Sequence, residues 1–208
     1  MHQASYDEMR RVLAEHLGRA FDTPLAVLDV GSRRVQSKAP TYRGLMPAAW
    51  TYTGCDLEPG DNVDLVQLGE YRIREEAGLY DVVISGQCLE HVRHPWLLAQ
   101  EMARMLNPGG WAFWTAPWNW HYHPHPIDCW RILPDGMKAL MESAGLICMS
   151  AYRVENDCWG IGRKPMPAER QPREQVAQAG PRPDRGVTPE PASTPSSDAP
   201  FFPWEGLP

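Results

Sequence analysis

The sequence predicts an α/β protein with an open, mostly parallel sheet and helices on both faces. Two observations carry this prediction. Short apolar runs alternate with stretches of helical periodicity from about Ser5 to Val154, the order that places parallel strands side by side with crossovers above and below them. Two of the apolar runs carry acids toward their carboxyl ends: Leu25–Gly31 (LAVLDVG) delivers an acid and a glycine into a turn, and Thr51–Glu58 (TYTGCDLE) follows about 25 residues later. Ligands of open α/β sheets bind at the carboxyl ends of such strands. A third observation bounds the domain: the composition turns proline-rich near Lys164.

The elements follow in order. Ser5–Ala20 places Met9, Val12, Leu13, Leu17 and Ala20 at helical spacing, so a helix packs beside the sheet. Ala26–Val30 is the first strand, and after Gly31 a polar passage leads to a short helical stretch near Tyr42–Met46. Trp50–Asp56 and the short Val63–Val66 are the second and third strands, and Glu70–Gly78 reads as a helical connection. Tyr80–Ser85 (YDVVIS) is the fourth strand. A long helix begins near Pro95, tolerated in a first turn, and runs to Leu106 with Leu97, Leu98, Met102, Met105 and Leu106 toward the sheet. Asn107-Pro108-Gly109-Gly110 ends it, and Trp111–Thr115 is the fifth strand. Pro134–Ala144 forms a helix closed by Gly145, and Leu146–Val154 returns as a strand.

Residues 1–163 are thus expected to form one domain and residues 164–208 a disordered tail, because about one tail residue in four is proline and apolar groups are sparse. Phe201-Phe202-Pro203-Trp204 near its end is a candidate docking motif for a protein partner. A formal net charge of −6 over 208 residues speaks against a nucleic-acid partner. No apolar run approaches the roughly 20 residues of a membrane span, and no signal peptide is visible. The five cysteines form no CxxC pair, so neither a disulfide framework nor a structural zinc site is expected. A cytoplasmic protein is the expectation.

Five collinear pieces resemble the S-adenosylmethionine-dependent methyltransferases, closest to their bacterial type-11-like branch. They are Val27–Ser32, Tyr52–Val66, Tyr80–Trp96 (YDVVISGQCLEHVRHPW), Glu101–Trp111 and His125–Leu146. The resemblance implies a Rossmann-like, seven-stranded, mostly parallel sheet with S-adenosyl-L-methionine as cofactor. It implies that Asp29, Gly31 and Ser32 contact the methionine portion, Asp56 and Leu57 the ribose side, and Gly86, Gln87 and Cys88 the rest of the cofactor. Asp64 resembles the acid that precedes the adenine-side contact. Arg33 stands where many relatives carry a second glycine. The dinucleotide fingerprint G-x-G-x-x-G is therefore missing, which argues against a pyrophosphate ligand and a nicotinamide-dependent oxidoreductase.

The catalytic candidates lie in Glu90-His91 and in Pro117–Arg131 (PWNWHYHPHPIDCWR). Neutral imidazoles suit proton removal from a hydroxyl or amine, and the family-like H-P-x-D-x-W-R segment favours His125, then His123, over His121. His91 is a further candidate. Asp128 can orient an imidazole, and Arg131 either binds an anionic acceptor or pairs with Asp128. Trp118, Trp120, Tyr122 and Trp130 offer faces for a sugar, an aromatic acceptor or a sulfonium. Histidines spaced two apart between prolines fix no tetrahedral site, so no metal is expected. The implied function is methyl transfer to oxygen or nitrogen of a small-molecule or saccharide acceptor; the non-enzymatic alternative is a degenerate cofactor-binding scaffold.

Overall fold

A computed structural model describes residues 3–35 and 39–167. The expected tail, with Phe201–Trp204, falls outside the described residues from 168 onward. Seven strands form one sheet: β1 (Ala26–Val30), β2 (Thr51–Asp56), β3 (Leu65–Val66), β4 (Tyr80–Gly86), β5 (Leu106–Pro117), β6 (Ile147–Val154) and β7 (Asp157–Arg163), in the order β3-β2-β1-β4-β5-β7-β6. The first five in that order run parallel, whereas β7 is antiparallel to both β5 and β6. This is the Rossmann-like architecture. Among the described residues three α-helices accompany it: α1 (Gln3–Leu17), α2 (Pro95–Met105) and α3 (Pro134–Ser143). Among the described residues no helix is long and apolar enough to cross a membrane.

The period-two alternation of the strands divides the core in two. Val27, Val82, Ile84 and Phe113 face α1, where they pack with Met9, Val12 and Leu13. Leu28, Val83, Ala112 and Trp114 face the other way, into a cluster with Leu98, Met102 and Met105 of α2 and Met137 and Met141 of α3. Both sides of every central strand are therefore apolar, the pattern of a parallel sheet covered on both faces.

Three elements differ from the sequence expectation. Glu70–Gly78 is irregular rather than helical. Side chains from α2 claim its backbone: Ile73 N–H donates to Glu101 Oε1 at 2.7 Å, and Arg104 Nη2 donates to the carbonyls of Ile73 and Glu75. Asn107–Gly110 does not separate helix from strand. Leu106 already pairs with Tyr80, and the register resumes at Trp111 opposite Val82, so the four residues form a bulge within β5. Leu97 points outward at 38% exposure. Strand β7 was not anticipated from local pattern; its glycine-rich DCWGIGR pairs on both edges in the middle of the sheet.

Candidate active site

β1 and β4 are neighbours at the centre of the sheet, but the chain leaves β1 toward β2 and leaves β4 toward α2 and β5. The loops after the two strands diverge, and a crevice opens at this switch point. The cavity there measures about 800 Å³. Asp29, Gly31, Ser32, Asp56 and Leu57 line one end, Gly86, Gln87 and Cys88 cross its floor, and His91, His121, His123 and His125 line the other end. Asp128 does not reach the cavity.

Gly31 leaves β1 with φ +80°, a conformation costly for any residue with a side chain. A Cβ there would stand 2.6 Å from Cys88 Cβ and 2.7 Å from its Sγ. The glycine is thus what lets the two cradle loops touch. Gly31 and Ser32 N–H both donate to Cys55 carbonyl, and Ser32 Oγ donates to Asn62 carbonyl. Arg33 fits the position without a second glycine because its N–H donates to Asp56 Oδ2 at 3.0 Å and its guanidinium pairs with Glu58 at 2.6 Å. Asp56 caps this turn and retains lone pairs toward the cavity. Asp29, 2% exposed, accepts from Tyr52 Oη at 2.5 Å, and Asn62 Nδ2 donates to the same phenol. Burial pushes the Asp29 carboxyl up to about 7 against the opposing Tyr52 hydrogen bond. Asp64 is engaged elsewhere, accepting from Gly54 N–H and Arg43.

Three further polar groups face this region; Gln67 and Tyr42 were not among the sequence candidates, whereas Glu90 was named there with His91. Gln67 and Tyr42 line the cavity, and Gln67 Oε1 and Tyr42 Oη are buried with no hydrogen-bond partner. Only the position of Gln67, just past β3, hinted at it. Glu90 is fully buried, and neither carboxyl oxygen has a hydrogen-bond partner. It sits in the 3₁₀ turn Leu89–His91, ahead of the α2 N-cap His94, so it does not serve the helix dipole. Burial pushes its carboxyl up to about 8. Gln87 is held at φ +57° after β4, uncommon for a non-glycine residue, with its N–H on Thr115 carbonyl and its Nε2 on Asp157 at 2.9 Å.

The histidine run is fixed by one ion pair. The Asp128 side chain, 1% exposed, accepts both arms of the Arg131 guanidinium and the His123 backbone N–H. Arg131 also donates to the carbonyls of Trp120 and His121, so the strong bidentate pair braces the whole loop. The Arg131 fork holds Asp128 well below the usual carboxylate range. Asp128 Oδ2 lies 3.1 Å from His123 Nδ1, so the imidazole it orients is His123. His91 and His123 have ring centroids 5.0 Å apart, and His125 lies 6.5 Å from each. Burial lowers the His91 pKa, keeping it neutral near pH 7.

The methyltransferase-domain family matches residues 2–149. A ubiquinone biosynthesis O-methyltransferase of Burkholderia vietnamiensis is 40% identical over 61 residues, 29% of this chain and 26% of the relative. An uncharacterized methyltransferase of Mycolicibacterium gilvum is 29% identical over 119 residues, 47% of this chain and 43% of that one. The chain thus matches between about a quarter and less than half of the length of these curated relatives. Among solved structures, the Burkholderia thailandensis 1,6-didemethyltoxoflavin-N1-methyltransferase, with bound 1,6-didemethyltoxoflavin and S-adenosylhomocysteine, superposes with a TM-score of 0.61 at 16% identity, covering 78% of this chain and 79% of that one. The Aquifex aeolicus SAM-dependent methyltransferase gives 0.52 at 14% identity, covering 78% and 98%. The [4+2]-cyclase SpnF gives 0.59 at 15% identity, covering 77% and 81%. At such identities these likenesses establish the fold alone, and one fold hosts different chemistries.

Proposed function

The chain belongs to the methyltransferase-domain family, and from that premise we propose that it is an S-adenosylmethionine-dependent methyltransferase acting on oxygen or nitrogen of a small-molecule acceptor, a saccharide included. The observation that carries this proposal is the single cavity joining Asp56, Gly31 and Gln87 to the histidine run. At about 800 Å³ it falls within the range of small-molecule sites, and its two ends differ in chemistry.

Three features support the fit of this donor. Asp56 offers carboxylate lone pairs where two vicinal ribose hydroxyls need acceptors. Gln67 Oε1 is a buried acceptor without a partner, suited to an exocyclic adenine amine. Gly31 carries no side chain, so the loop after β1 comes up against Cys88 and both line the cavity. When bound, S-adenosylmethionine supplies a methyl group already activated on a sulfonium.

The chain's own contribution is alignment and exclusion of water. Holding an acceptor atom about 3 Å from the methyl carbon, in line with the leaving sulfur, supplies much of the rate. Trp120 and the histidine-proline run wall the acceptor end. His125 is the base for a hydroxyl acceptor, with His123 and His91 beside it. Asp128 is a positioning residue that acts through His123. An amine acceptor that is already neutral needs no base before attack.

Calorimetry with S-adenosylmethionine, S-adenosylhomocysteine and NAD, together with transfer assays on an acceptor panel, tests this function. Binding of both sulfur compounds, weakened in Asp56→Ala, is expected; binding of neither defeats it. His125→Ala should lower turnover more than donor affinity, and unchanged turnover removes His125 as base. Donor binding without transfer to any acceptor would favour the scaffold alternative.

A further inference from the structure

We propose that Glu90, His91 and His123 form a binding site for one first-row divalent transition-metal ion at the acceptor end of the cavity. One ligating atom of each residue lies within 4.8 Å of the other two. The site has a vacancy in its hydrogen bonding that a cation would fill. Glu90 is fully buried, yet neither of its oxygens has a donor, a costly state for a carboxyl group in any protonation form unless something else occupies the site.

Both imidazoles are held in the tautomer that ligation requires. His91 Nδ1 stands 2.6 Å from Ile127 carbonyl oxygen, which can only accept. The proton is therefore on Nδ1, and the Nε2 lone pair, 3.6 Å from Glu90 Oε1, is available. His123 Nδ1 lies 3.0 Å from His121 carbonyl and 3.1 Å from Asp128 Oδ2, again two acceptors, which leaves its Nε2 lone pair available. A carboxylate behind a histidine, itself fixed by an arginine fork, is the outer-sphere arrangement that orients metal-bound imidazoles.

The ligand chemistry narrows the ion. Two imidazoles and one carboxylate suit Zn²⁺, Fe²⁺ or Mn²⁺, whereas Mg²⁺ and Ca²⁺ prefer oxygen throughout. Around a tetrahedral ion with bonds of about 2.0–2.1 Å, ligand atoms stand roughly 3.3 Å apart. The Glu90–His91 pair, at 3.6 Å, is already close to that, and the His123 ligand atom, within 4.8 Å of both, has a short distance to close. The expectation of no metal came from spacing within the His121–His125 run alone. Here two ligands come from the loop after β4 and one from the loop after β5. Three protein ligands leave an open position, and since His91 and His123 line the cavity, an oxygen of the acceptor can take it. The class this favours is an acceptor with a hydroxyl or carboxylate beside the methylated atom.

The test uses the full chain stripped of metal with a chelator and titrated with Co²⁺ and Zn²⁺, read by Co²⁺ visible absorption and by calorimetry. One bound equivalent is expected, with absorption of imidazole-ligated Co²⁺. Glu90→Gln and His123→Ala should each weaken binding beyond the roughly 10–100-fold that loss of an outer-sphere partner costs, and Asp128→Asn should fall within that range. His125→Ala should bind as wild type. Circular dichroism identifies variants that remain folded. Failure of the folded wild-type chain to bind either ion stoichiometrically overturns the site, as does undiminished affinity in folded Glu90→Gln or His123→Ala. Calorimetry with S-adenosylhomocysteine on the metal-free chain separates this from the donor assignment: loss of that ligand alone leaves the metal site standing.

Discussion

Replacing Gly31 with alanine should break the cradle by two separable mechanisms. The residue's φ of +80° would hold alanine in the left-handed region, at about 1–2 kcal/mol. The new Cβ would also meet Cys88 Cβ at 2.6 Å and Sγ at 2.7 Å, well inside contact distance. Overpacking of this kind costs about 1–3 kcal/mol. The sum, about 2–5 kcal/mol, corresponds to a fall in Tm of roughly 4–20 °C for a chain of this size. Cys88→Gly removes both offending atoms and leaves the backbone Cα of residue 88 at an ordinary contact distance of 3.8 Å from the added Cβ. The double variant should therefore recover the overlap cost and keep the backbone cost. Urea unfolding of the four proteins, compared at constant m, gives the coupling energy directly. A favourable coupling of about 1–3 kcal/mol is expected. Additivity within about 0.5 kcal/mol, or a Gly31→Ala variant as stable as wild type, would refute the claim that this glycine is required for the approach of the two loops.

Asp29 predicts a pH signature. Its folded carboxyl titrates near 7, above its unfolded value, so between about pH 4 and pH 7 the folded state holds a proton that the unfolded state has lost. Stability from this group falls as pH rises through that window and is flat above it. Asp29→Asn should gain Tm relative to wild type as pH goes from 4.5 to 7; parallel curves for the two proteins would contradict the buried, proton-holding carboxyl. Gln67→Leu removes the unpartnered acceptor, and S-adenosylhomocysteine should bind about 2–12-fold more weakly by calorimetry, the worth of one net hydrogen bond; equal affinity would take Gln67 out of the site. Arg131→Ala strips the fork from nearly buried Asp128 and should cost about 2–4 kcal/mol with faster hydrogen exchange across residues 120–128. Arg131→Lys cannot restore two parallel bonds, and a lysine variant of wild-type stability would count against the bracing role.

Much of the fold is legible because its information is local. β1, β2 and β4 are short apolar runs whose alternate residues serve opposite faces, and α1, α2 and α3 carry their apolar residues at helical spacing. Proline at the starts of α2 and α3 and Gly145, at φ +82° after α3, mark boundaries that need no distant partner. The strand-end positions of Asp29, Gly31, Asp56 and Gln87 follow from the same pattern, which is why a parallel sheet brings them to one crevice.

Other features have no local signal. Glu70–Gly78 has a helix-compatible composition, and only Glu101 and Arg104, from the next helix, hold its backbone in an irregular path. β7 carries too many glycines to read as a strand until β5 and β6 pair with it on either side.

The chain by itself determined a two-faced α/β sheet and the residues at its switch point, since periodicity and strand ends depend on neighbours along the sequence. Tertiary structure alone decided that Asp128 serves His123, that Glu90 loses every hydrogen-bond donor, and that His91 meets His123 across two loops. His91 and His123 stand 32 positions apart, and even Asp128 and His123, five apart, meet only because the Arg131 fork folds the loop back. Their chemistry depends on desolvation and direction, which exist only once the loops are packed together.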